Sequence, residues 1–129
     1  DTNRIISALL KESTSRKLIM NKTFEFITPD YTLEEIQKYK KYICQKAKIT
    51  EETFEILISL IFEQIEIIPA SEYEKHVKEA KKLIEDIGDV PFVACSLASK
   101  VDGIWSDDAH FQKQGKMKTF TTTELIKHL

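Results

Sequence analysis

Carboxylates stand at four points where this chain turns into a helix. They are Asp1, Glu35, Asp89 just before Pro91, and the pair Asp107-Asp108 ahead of His110-Phe111. Asp89 and either of Asp107 and Asp108 have an ordinary explanation, since an acid in front of a helix caps its free N–H groups and a proline suits the first turn. Asp1 alone says nothing. Glu35 is the most informative. At about 100° per residue, Leu33, Ile36, Tyr39 and Ile43 define a buried stripe; Glu35 falls at its edge and Glu34 nearly opposite. Brought together, Asp1, Glu35, Asp89 and Asp108 would repel one another unless something positive lay between them. Carboxylates gathered without Lys or Arg partners suit Mg²⁺ or Mn²⁺, hard cations that prefer oxygen ligands. Such ions activate a water and neutralise charge on a transferring phosphoryl group.

The elements that must position these acids are organised around residues 88–111. An acid precedes a small-residue helix over 92–99, Asp102-Gly103 turns the chain, and a brief apolar strand, Ile104-Trp105, runs into Ser106-Asp107-Asp108. Upstream, the pattern predicts a helix from Arg4 to about Met20, a strand over 24–27 and a helix over 33–48. A second helix over 51–63 is capped by Thr50 and leads to a strand over 65–68. Ser71 is expected to cap a helix whose inner face carries Tyr73, Val77, Ala80, Leu83 and Ile84. A last strand over 117–120 and a closing helix over 124–128 complete the chain. Strands alternating with helices predict a three-layer α/β/α sandwich with a mainly parallel sheet of four or five strands. In such sheets ligands bind beyond the carboxyl ends of the strands.

The totals limit the function classes. With 129 residues, 42% hydrophobic and 31% charged, the chain reads as one folded domain rather than a disordered segment. A net charge of −2 leaves no global basic field for nucleic acid, so any such contact depends on a local patch. Cys44 and Cys95 have no second Cys or His at ligand spacing and read as free thiols, which fits a reducing cytoplasm. The most apolar run, 56–62, is too short to span a bilayer, and no signal peptide is visible.

The order Asp1-Thr2-Asn3, then Leu33-Glu34-Glu35-Ile36, then the run from Asp89 to Ala94, then the run from Trp105 to Phe111 resembles the PIN-domain nucleases. Within that family the chain looks most similar to prokaryotic, especially archaeal, toxin components of toxin–antitoxin pairs. The resemblance implies a PIN-like fold over residues 1–129, starting at the end of the family's first strand. It also implies divalent-metal-dependent cleavage of RNA, usually single-stranded, and an antitoxin protein as partner. Carried over residue by residue, the Mg²⁺ or Mn²⁺ ligands are Asp1, Glu35, Asp89 and Asp108, with Asn3 and Ser106 in support. Matching through Phe111 selects Asp108 and leaves Asp107 at the rim or in a capping role. Arg4 departs from the family, which places an apolar residue there.

Other residues carry two readings each. His110 can meet a phosphate or a metal-bound water, or be a surface histidine. Lys38, Lys40 and Lys41 can hold RNA phosphates or form a solvated helix face. The apolar residues of 54–62 spread wider than one stripe, so a homodimer burying them is expected. The rival functions are a PIN-like scaffold that binds RNA or protein without cutting, and a nucleotide-binding or receiver-type α/β protein. Against the latter, the chain has three glycines and no glycine-rich phosphate loop.

Overall fold

The fold is taken from a computed structural model, which describes residues 1–10 and 13–129. The chain opens with α1 (Thr2–Leu10) and α2 (Thr14–Met20), followed by β1 (Phe26–Pro29), α3 (Tyr31–Lys38), α4 (Lys40–Ala47) and α5 (Glu51–Phe62). Then come β2 (Ile65–Ile68), α6 (Ala70–Tyr73), a 3₁₀ turn (Glu74–His76), α7 (Val77–Leu83) and α8 (Val90–Ala98). The chain closes with β3 (Ile104–Trp105), α9 (Ala109–Lys113), β4 (Thr119–Phe120) and α10 (Thr122–Ile126).

Side chains alternate across each strand, and here the alternation separates two cores. Ile27, Ile68 and Ile104 face a cluster built on α8, with Ala80, Val93, Ala94 and Phe111. Phe26, Ile65 and Trp105 face a second cluster with Ile5, Leu9, Ile36, Ile43, Phe54 and Ile61. Helices therefore cover both faces of the strands, as an α/β fold requires. Residues such as Phe54, with no exposed surface, are worth roughly 3–5 kcal/mol each against truncation to Ala. No helix among the described residues is long and apolar enough to cross a membrane.

The strands are parallel, but among the described residues they form two sheets of two strands rather than one of four or five. β1 pairs with β2 from Phe26↔Ile65 to Pro29↔Ile68, and β3 pairs with β4 at Ile104↔Thr119 and Trp105↔Phe120. These are separate two-stranded sheets. A cleft of about 730 Å³ lies between them, lined by residues 26–29 of one and 104–105 of the other.

Several element boundaries also differ from expectation. The first helix is two, because Ser13 caps α2 with its side chain accepting from the Arg16 N–H; residues 11–12 of the expected helix lie outside the described residues. The strand expected over 24–27 begins at Phe26 and ends on Pro29, whose missing N–H suits a strand end. The helix expected over 33–48 breaks at Tyr39, where φ is −96° and ψ 7° and the N–H is shared between the carbonyls of Glu35 and Ile36. On either side of the break Ile36 and Ile43 enter the same core with no exposed surface, while Tyr39 turns outward. Ser71 lies inside α6 rather than at its cap, and the 3₁₀ turn separates α6 from α7.

Candidate functional site

Each acid reaches the site through a local device. Asp1 precedes α1: its Oδ1 accepts the Arg4 N–H (3.2 Å), and its Oδ2 accepts the hydroxyl of Ser106. The α-amino group of Asp1 donates to the carbonyl of Trp105 (2.8 Å), which ties the start of α1 to β3. Thr2, buried beside it, donates its hydroxyl to Oε1 of Glu35 on α3 (2.6 Å). Ser106 is fully buried and also accepts the Asp108 N–H (3.0 Å). One hydroxyl thus connects two acids that lie far apart in sequence.

Asp89 and Asp108 both stand at helix starts but behave differently. Asp108 caps α9, its Oδ1 accepting the His110 N–H at 2.9 Å and lying 3.3 Å from Nδ1 of the His110 ring. Asp89 sits at the cap position of α8 with φ −89° and ψ −16°, and its side chain makes no capping bond. Its Oδ2 is buried and has no hydrogen-bond partner among the described residues. The capping explanation therefore holds for Asp108 and fails for Asp89. Burial pushes the Asp89 carboxyl up to about 6, with the charges of Asp86 and Asp108 adding to the effect.

Asp1, Glu35, Asp89 and Asp108 line one cavity of about 260 Å³, together with Asn3. Thr2, Tyr39 and Asp86 join them, and no Lys or Arg lines it. Asp86 is a fifth acid that the sequence reading missed. Its signal was the Asp86-Ile87-Gly88 turn, in which Oδ1 of Asp86 accepts the Gly88 N–H at 2.8 Å. Carboxylate and imidazole atoms of Asp89, Asp108 and His110 lie within 4.8 Å of one another, although His110 is exposed and outside the cavity lining.

The remaining candidates lie elsewhere. Lys38 and Lys41 are exposed and do not line the cavity, and Lys38 rests over the ring of Tyr39 at 6.0 Å. Lys40 is paired with Glu55 at 2.8 Å. Asp107 turns away from the acids toward Thr122 and Arg4. Burial raises the Asp107 carboxyl, but the two Thr122 hydrogen bonds and the Arg4 charge outweigh it and hold the group below the usual carboxylate range. The Trp105 ring packs at a tilt against Phe26, centroids 5.3 Å apart, and its indole N–H donates to Thr122, which makes it a packing residue. Cys44 and Cys95 are free thiols.

No curated protein and no solved structure matches the chain. A family model described as PIN domain matches residues 1–129. The chain therefore belongs to the PIN domain family, whose members are generally nucleases.

Proposed function

We propose that the protein is a divalent-metal-dependent endoribonuclease that cuts single-stranded RNA. The observation that carries the reading is the 260 Å³ cavity, onto which Asp1, Glu35, Asp89 and Asp108 converge with no basic side chain in its lining. The buried, partnerless Oδ2 of Asp89 tests whether these residues fit a metal. An oxygen left unsatisfied amid neighbouring acids is stabilised by a bound cation or, without one, by a proton, the direction in which the Asp89 carboxyl is pushed. The donor set is all oxygen, which suits Mg²⁺ or Mn²⁺. When bound, the ion supplies a Lewis acid that activates water and neutralises charge on the phosphoryl group.

The chain's own residues hold the geometry. Ser106 and Thr2 orient Asp1 and Glu35, while the Asp108 carboxylate is fixed by its own helix. Asn3, exposed at the rim, and His110, exposed beside Asp89 and Asp108, can donate to a phosphate oxygen. RNA as the substrate, and a role as the toxin of a toxin–antitoxin pair, rest on the family resemblance. A cytoplasmic location fits the two free thiols. A homodimer fits the exposed Tyr42, Ile56 and Leu60 on α4 and α5. A parallel strand laid between β1 and β3 would join the two small sheets into one of five strands.

The test is cleavage of an end-labelled single-stranded RNA with Mn²⁺, Mg²⁺ or excess chelator, alongside the melting temperature. Cleavage and a raised melting temperature in Mn²⁺, both lost in chelator, are expected. Absence of both effects at millimolar Mn²⁺ would overturn the reading.

A further inference from the structure

Asp107 lies between two residues of the site yet sends its carboxylate away from it. Its Oδ1 accepts the Thr122 N–H at 2.7 Å, and its Oδ2 accepts the Thr122 hydroxyl at 2.6 Å. The same Oδ2 lies 2.7 Å from Nη1 of Arg4. The Thr122 hydroxyl is used in both directions, since it also accepts the indole N–H of Trp105 at 3.0 Å. Three separate parts of the chain meet on one carboxylate: the first turn of α1, the turn after β3 and the first turn of α10.

Arg4 is out of place by helix electrostatics alone. A cation in the first turn faces the positive end of the helix dipole and destabilises it. Its Nε is buried without a hydrogen-bond partner among the described residues, 3.9 Å from Oδ1 of Asp1. The guanidinium thus spans Asp1 and Asp107. Between its anchors runs Ser106, fully buried, which donates to Asp1 and accepts from the N–H of Asp108. Moving Asp107 would move Ser106 and Asp108 with it, because the three are consecutive.

We propose that Arg4, Asp107 and Thr122 form a positioning unit that fixes the turn after β3, so that Asp1 and Asp108 present their carboxylates to the cavity together. None of the three is a catalytic residue, and the proposal rests on the metal-dependent nuclease reading given above. Arg4 and Asp107 belong to neither core cluster, and their side chains are partly exposed. The effect therefore belongs in metal affinity and turnover more than in folding.

The experiment compares wild type with Asp107→Asn, Arg4→Met, Arg4→Lys, Thr122→Val and the Arg4→Met/Asp107→Asn double variant. Mn²⁺ affinity is read by titration calorimetry, cleavage as separate kcat and KM, and folding by circular dichroism and melting temperature. Asp107→Asn is expected to bind Mn²⁺ about tenfold more weakly and to lose kcat by a similar factor, with KM for RNA little changed. The double variant should be no worse than Asp107→Asn, because both changes break one unit. Arg4→Lys, keeping the charge without the planar fork, should recover part of what Arg4→Met loses. Asp107→Asn with wild-type Mn²⁺ affinity and kcat overturns the proposal, as do additive losses in the double variant. Wild type that neither binds Mn²⁺ nor cuts RNA refutes the nuclease reading, and the positioning proposal falls with it. Wild type that does both, beside an unaffected Asp107→Asn, refutes the positioning proposal alone.

Discussion

Two cavities meet at Asp1 and could hardly differ more. The smaller, about 260 Å³, is walled by carboxylates, four that start helices or sit within them and Asp86 in a turn. The larger, about 730 Å³, is walled by strand residues, the turn at Gly103 and charges of both signs, among them Arg4, Lys22, Glu66 and Lys100. The first collects charge from side chains that local helix geometry already aims. The second is defined by what two sheets fail to share. Chemistry in this protein is therefore a matter of side chains brought to one end of the strands, and architecture a matter of backbone pairing left open between them.

The comparison breaks most visibly if the small cavity loses an acid. Asp89→Asn and Asp108→Asn should each lower Mn²⁺-dependent RNA cleavage by about a hundredfold or more, measured as initial rates on a labelled strand. Neither should destabilise the fold strongly, because each relieves repulsion among neighbouring acids. Near-wild-type rates in both variants would remove the small cavity from the mechanism.

The wall of the larger cavity offers a test of packing. A Cβ on Gly103 would stand 2.5 Å from the Lys118 carbonyl oxygen and 2.6 Å from the Phe120 ring. Gly103→Ala should cost about 1–3 kcal/mol in urea unfolding, since one of the clashing atoms is backbone. Gly115→Ala is the control, with nothing within 4 Å of its Cβ, and should be close to neutral. Equal stability of the two variants would mean that β4 does not press on Gly103.

The smallest effect is a pH dependence. The Asp89 carboxyl is raised from 3.8 to about 6, so between those values the folded protein holds a proton that the unfolded chain has released. Its contribution to stability is full below the unfolded value and is lost as pH rises through about 6. Metal-free protein should lose melting temperature across this window, and Asp89→Asn should flatten the slope. An unchanged slope in the variant would assign the effect to another group.

How far all this could be read beforehand follows the same division. Helix phase, a local property, placed Glu35 at the edge of its stripe, and the cap at Asp108 was legible within a turn. The cap expected of Asp89 does not form. The gathering of Asp1, Glu35, Asp89 and Asp108 on one cavity was legible only from the order of motifs that the chain shares with a family. Parallel pairing was legible from the alternation of elements. The split into two sheets was not, because strand partnership depends on residues distant in sequence and leaves no mark on a four-residue apolar run. The break at Tyr39 was missed for a similar reason. Of the stripe that Leu33, Ile36, Tyr39 and Ile43 form on an ideal helix, Ile36 and Ile43 stay buried and Tyr39 turns outward at the break, a change that no periodicity within 33–48 records. Asp86 and Thr2 act through a turn and a hydroxyl, short features that periodicity does not weigh.

The cleft between β1 and β3 also bears on how the protein behaves in a tube. Among the described residues each of these strands pairs with one neighbour only. The free side of β1 keeps N–H and C=O groups of the kind that recruit an extended chain, while on β3 the Trp105 carbonyl is already taken by the Asp1 amino group. Charged side chains and prolines blunt such edges, and here Pro29 stands at the end of β1 while Ile104-Trp105 carries no charge. Concentrated solutions should therefore age by intermolecular strand pairing, seen as growing thioflavin fluorescence and slow loss of soluble material. A short apolar peptide that fits the cleft should delay both.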